Sequence, residues 1–158
     1  MLNETAPVFL NECVDALGFL TEEYGFSKPE VIIDQKIYFI FVTFYKQKLA
    51  IECSYDLRDE DTSIRVEKLE NGKKPDCWRI NKKGEVCSEY LPELLIARGV
   101  RDLKFDPIES FSNLPKYQAE MKQSLLRDAR ILKKYGQDIL NDSLEIFKYA
   151  DPTKGDKF

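Results

Sequence analysis

Three segments in the first half of the chain leave little choice of architecture. Residues 37–45 are Ile-Tyr-Phe-Ile-Phe-Val-Thr-Phe-Tyr. Residues 49–55 alternate Leu49, Ile51, Cys53 and Tyr55 against Ala50, Glu52 and Ser54, and residues 63–69 place Ile64, Val66 and Leu69 among polar neighbours. Period-two patterning in β-branched and aromatic residues predicts strands. The connection at Lys46-Gln47 is a tight turn, and residues 56–61 form a short polar loop. Neither can hold the crossover of about a dozen residues that parallel neighbours require, so these strands run antiparallel. The strand over 37–45 is apolar on both faces. It is either central and covered on both sides, or covered by a helix on one face and by a partner on the other. The strand over 49–55 reads as half-buried.

The flanking segments complete the pattern. A short strand over 31–34 follows Pro29. Asn71-Gly72 signals a turn, and residues 78–80 and 86–88 form a small hairpin around 81–84. A first helix is predicted over 6–24, with Thr5 as N-cap, Pro7 in its first turn and Gly25 at its end. Phe9, Cys13, Ala16, Leu17 and Leu20 share one face of it. A short helix follows at 91–98, and the segment 100–114 is irregular. A long helix spans 115–135, where Tyr117, Met121, Leu125, Ala129, Leu132 and Tyr135 recur at helical spacing before Gly136. Helical turns follow at 138–140 and 144–149. The expected fold is α+β: an antiparallel meander of about five or six strands, with an N-terminal helix and a long C-terminal helix packed on it. It occupies residues 1–150 as one domain, with 151–158 as a flexible tail.

Catalytic chemistry finds few carriers. The chain has no His, which excludes Ser-His-Asp and Cys-His arrangements, and its seven glycines never cluster into a phosphate-binding loop. Glu52 and Asp56, near Asp59, Glu60 and Asp61, are oxygen donors that could approach a divalent cation, but no Gly supplies the turn of a calcium loop. No C-x-x-C pair exists among Cys13, Cys53, Cys77 and Cys87. A zinc site would need scattered thiolates, and buried free thiols are the ordinary alternative, with a Cys77–Cys87 disulfide across the hairpin left open. Lys73, Lys74, Trp78, Arg79, Lys82 and Lys83 set one aromatic among basic residues, a pattern that serves nucleic acid or plain packing equally well. The expectation is a non-enzyme without cofactor or metal. There is no signal-peptide pattern and no apolar run near the roughly 20 residues of a membrane span, so the expected location is cytoplasmic.

Charge is distributed unevenly. Residues 1–61 carry 12 acidic and 5 basic side chains, whereas the whole chain sums to −4. An acidic N-terminal part argues against a dedicated nucleic-acid binder and suits a basic protein partner.

Three segments in order carry a likeness to a known group. Phe19-Leu20-Thr21-Glu22-Glu23-Tyr24-Gly25-Phe26 closes a helix, an aromatic strand pair leads through 51–56 into a charged loop, and Lys133-Lys134-Tyr135-Gly136-Gln137-Asp138-Ile139-Leu140 precedes Leu144 and Ile146-Phe147. Together they resemble small bacterial immunity-type proteins that accompany polymorphic toxins. The shared positions are helix endings and core residues, so no functional residue is carried over. The resemblance implies stoichiometric neutralisation of a cognate toxin or effector in the cytoplasm. The contact residues expected from the chain's own acidic loop are Asp56, Asp59, Glu60 and Asp61, with Tyr55 as an aromatic anchor. The alternative is a secretion-type chaperone that binds an effector as a homodimer, which leaves the oligomeric state open between monomer and dimer.

Overall fold

A computed structural model describes residues 1–104 and 111–153. Its elements in chain order are α1 (Leu2–Leu17), α2 (Phe19–Tyr24), β1 (Glu30–Asp34), β2 (Phe39–Tyr45), β3 (Leu49–Asp56), β4 (Asp61–Lys68), β5 (Ser88–Tyr90), α3 (Leu91–Ala97), α4 (Lys116–Tyr135), α5 (Gln137–Leu140) and a final 3-10 turn, Glu145–Tyr149. The five strands form one antiparallel sheet in sequential order, β1-β2-β3-β4-β5. The expected α+β meander is therefore the observed architecture, with α4 packed against the sheet.

Register assigns the faces. Ile40 pairs with Tyr55 and Tyr55 with Thr62; Val42 with Cys53 and Cys53 with Ile64; Phe44 with Ile51 and Ile51 with Val66. Directly paired residues project to the same side, so these rows form one apolar face. Phe9 of α1 meets Tyr55 there, with ring centroids 5.6 Å apart. Leu17, Leu20, Leu125, Ile131 and Leu132 complete the core. Between the two long helices, Gln118 Nε2 donates to the buried Glu12 Oε1 at 3.1 Å, and Lys122 Nζ lies 3.5 Å from Glu12 Oε2.

The first helix differs from expectation. It begins at Leu2, because Leu2 and Ala6 are drawn into the core and lengthen it beyond Thr5, whose amide donates to the Met1 carbonyl at 2.9 Å. It also divides at Gly18, which retains helical φ and ψ. Gly25 ends α2 at φ 75°, as expected of a helix-terminating glycine. Asn71 and Gly72 both take positive φ, the signature of a tight turn of the primed type.

The outer face of the sheet corrects the half-buried reading of β3. Ala50, Glu52 and Ser54 are buried as well, because residues 69–87 cross over that face. Lys74 Nζ donates to Glu52 Oε2 at 2.6 Å, and Arg65 Nη2 donates to the Trp78 carbonyl at 2.7 Å. The Arg65 guanidinium lies 4.3 Å from the Trp78 ring centroid and 4.4 Å from that of Tyr90. The expected hairpin around 81–84 reduces to one bridge, Ile80 to Val86, while residues 88–90 join the sheet as β5. Cys77 and Cys87 are paired as a disulfide in this crossing segment, and Cys13 and Cys53 are free and buried.

The C-terminal turns brace the opposite end of the sheet. Asp142 Oδ1 accepts from the amides of Lys48 and Leu49 at 3.0 and 3.2 Å. Arg79 Nη2 donates to the Asp151 carbonyl at 2.8 Å. Of the expected tail, residues 154–158 lie outside the described residues, as do 105–110 of the expected irregular segment.

Candidate protein-binding surface

The β1–β2 and β3–β4 loops lie at the same end of the sheet and are built alike. Each follows a strand-ending Asp whose carboxylate folds back on the turn. Asp34 Oδ1 accepts from the amide of Lys36 at 3.0 Å, and Asp56 Oδ1 from that of Arg58 at 2.9 Å. A short polar side chain that accepts a backbone amide two residues on sets the first bend. The last residue of each loop, Tyr38 and Glu60, takes positive φ, 59° and 51°. Side chains other than Gly, Asn and Asp seldom occupy this region, at a cost of about 1–2 kcal/mol per residue. Two such residues on neighbouring loops are strain held in place by the sheet beneath them.

The loops are cross-braced. The Leu57 amide donates to the Tyr38 carbonyl at 3.0 Å, and the Arg58 guanidinium sits 5.8 Å from the Tyr38 ring centroid. Ile37 and Tyr38 are exposed on one loop; Arg58, Asp59, Glu60 and, at the start of β4, Asp61 are exposed on the other. An apolar patch with a charged rim is the composition of a protein interface.

The five residues expected to form the contact divide. Asp59, Glu60 and Asp61 stand together on the surface. Asp56 is half-buried and engaged in its own turn, with Arg58 Nε 3.9 Å from Oδ1. Tyr55 is 1% exposed and belongs to the core against Phe9, so it is no surface anchor. Strand alternation decides this: Tyr55 shares the helix-facing side with Ile51 and Cys53. Burial, then the nearby charge of Glu60, pushes its hydroxyl up to about 12. Tyr38 is the exposed aromatic at this end, marked in the sequence only by its place at a strand entrance.

β1 extends the surface sideways. It pairs with β2 alone among the described residues, and Val31, Ile32 and Ile33 are all exposed. Glu30 and Asp34 bound this apolar stretch. The Tyr45 hydroxyl donates to Glu30 Oε1 at 2.8 Å. The sequence shows the strand but not that it is an edge, which depends on the order of strands in the sheet.

Other clusters are internally satisfied to different degrees. Glu52 and Glu67 lie on the covered outer face with Arg65 and Lys74. Burial, then the Glu52 charge, raises Glu67 to about 8. Glu67 Oε1 and Thr43 Oγ1 are buried without a hydrogen bond among the described residues. Glu52 is thus tied to Lys74 and does not join Asp56 in a cation site, and no group of three metal-ligating side chains occurs among the described residues. Asp128 lines a cleft of about 290 Å³ with Asp61, Ser63 and Tyr90; burial raises its carboxyl to about 6, opposed by Arg127. Of the six-residue basic and aromatic set, Lys74 pairs with Glu52 and Arg79 with Glu89 at 2.5 Å, while Trp78 stacks on Arg65. No described helix is long and apolar enough to cross a membrane.

No protein-family model, curated protein or solved structure matches this chain.

Proposed function

We propose that this chain is a non-catalytic binding module that neutralises a cognate bacterial toxin or effector in the cytoplasm, using the β1–β2 and β3–β4 loop end of its sheet. One observation carries the reading. Asp59, Glu60 and Asp61 stand beside exposed Ile37 and Tyr38 on two loops that brace each other. An acidic rim steers a basic partner and sets its orientation, and the exposed aromatic and aliphatic side chains supply desolvation energy at the centre. The loops are held by short turns on a sheet, so little ordering entropy is lost on binding. No reacting group is needed for such a function.

The test is capture with a tagged chain while neighbouring open reading frames are co-expressed, followed by the same capture with D59K/E60K/D61K. We expect one stoichiometric protein that kills cells lacking this chain, and binding weakened about tenfold to a thousandfold by reversing three rim charges. Unchanged affinity in the triple variant would refute the assignment of this surface.

The second reading, a secretion-type chaperone acting as a homodimer, draws on the exposed apolar residues of β1. A dimer in sedimentation, together with capture of a non-toxic secreted client, would favour it.

A further inference from the structure

We infer that β1 is a strand-addition edge: a partner protein contributes an extended segment that pairs with Glu30–Asp34 and carries a cationic residue at each end of a short apolar run. This rests on the protein-binding reading and specifies how the partner is held.

Edge strands present unpaired backbone donors and acceptors, and proteins ordinarily blunt them with Lys, Pro or a bulge. Nothing of the kind interrupts β1. Its five residues pair continuously with β2, from Glu30 opposite Thr43 to Asp34 opposite Phe39, and contain neither Lys nor Pro. Val31, Ile32 and Ile33 are 38%, 43% and 37% exposed. Successive side chains point to opposite faces, so Ile32 lies exposed on one face and Val31 and Ile33 on the other. An added strand would therefore find apolar neighbours both above and below.

The ends of the strand select the occupant. Glu30 and Asp34 each use one carboxylate oxygen locally. Glu30 Oε1 accepts from the Tyr45 hydroxyl, and Asp34 Oδ1 accepts from the Lys36 and Ile37 amides at 3.0 and 3.4 Å. The two carboxylates stand at the two limits of the edge. A second copy pairing antiparallel over all five residues, centred on Ile32, would set Glu30 against Asp34 twice. Like charges directly opposite in a sheet are destabilising. A foreign strand with Lys or Arg at those positions converts the same two contacts into attractions, in either strand direction. Main-chain hydrogen bonds supply affinity in this mode, and side chains supply selectivity.

The probe is a pair of blocked peptides, Ser-Lys-Val-Ile-Val-Lys-Ser and the same sequence with Glu for both Lys, added to the full chain. Binding is read by chemical-shift titration, and amide exchange of residues 30–34 reports where it occurs. The Lys peptide should bind at least about tenfold more tightly than the Glu peptide and slow exchange of those amides. The E30Q/D34N variant keeps side chains able to make the local hydrogen bonds but removes both charges, and should erase the difference. Equal affinity for the two peptides, or binding that leaves the β1 amides unprotected, would overturn the inference. So would dimerisation that protects them in the absence of peptide, since the occupant would then be a second copy. The two readings fail separately. If neither peptide binds while D59K/E60K/D61K still abolishes capture of the partner, the strand-addition mode falls and the loop surface stands.

Discussion

Glu67 offers a clean test of the covered outer face, because the chain has no His to titrate near neutrality. Its carboxyl is raised to about 8 from an ordinary value of 4.5, chiefly by burial and then by Glu52, with Lys74 and Arg65 opposing. The folded state therefore holds a proton that the unfolded chain releases. The sign follows: stability is fullest below the unfolded value, falls as pH rises between the two, and is lost once pH passes the folded value. Each pH unit inside that window removes about 1.4 kcal/mol. Between about pH 6.5 and pH 8.5, where Asp128 has already titrated, the loss integrates to about 2 kcal/mol. The perturbation is E67Q, which has no proton to release. Urea denaturation at those two pH values should give the parent a drop of about 2 kcal/mol and the variant almost none. The variant should also exceed the parent most at the higher pH. If the parent is flat across the interval, or E67Q retains the slope, then Glu67 is not held neutral beneath residues 69–87 and the account of this face is wrong.

Three further outcomes follow from the packing. Phe9→Ala removes a fully buried ring from between α1 and Tyr55 and should cost about 3–5 kcal/mol in urea unfolding. A cost below about 1 kcal/mol would mean that α1 is not seated there. Glu60→Gly should stabilise the fold by about 0.5–1 kcal/mol, since glycine relieves the positive φ but adds unfolded-state entropy; a destabilised variant in thermal unfolding would contradict the strain. Cys77→Ser, measured without reductant, should lose about 2–3 kcal/mol from opening a short loop, whereas parent and variant should coincide in dithiothreitol. Equal stability without reductant would show that Cys77 and Cys87 are not joined.

Much of the fold was legible in local pattern. Alternation over 49–55 and 63–69, short polar connections and the helical spacing from Tyr117 to Tyr135 led to an antiparallel meander under two long helices, because side-chain period and connection length are set by backbone geometry alone. Asn71-Gly72 and Gly25 likewise announced positive φ by residue type. The chain start was misread, since Leu2 is helical for the sake of core contacts that a capping pattern does not encode.

The candidate surface was legible in part. A run of acids at 56–61 is visible in the sequence, and Asp59, Glu60 and Asp61 are exposed together. Tyr55 immediately precedes that run but faces the core, a matter of strand phase that its own alternation with Ile51 and Cys53 already contained. By itself, then, the sequence determined the antiparallel meander, the helical faces and the acidic hairpin, all of which arise from residues near one another along the chain. Only the tertiary structure decided that residues 69–87 bury Glu52, Arg65 and Glu67, that the two loops meet through Leu57, Arg58 and Tyr38, and that β1 pairs with β2 alone among the described residues. Those features depend on which distant segments cover a given face, and one-dimensional periodicity holds no record of that.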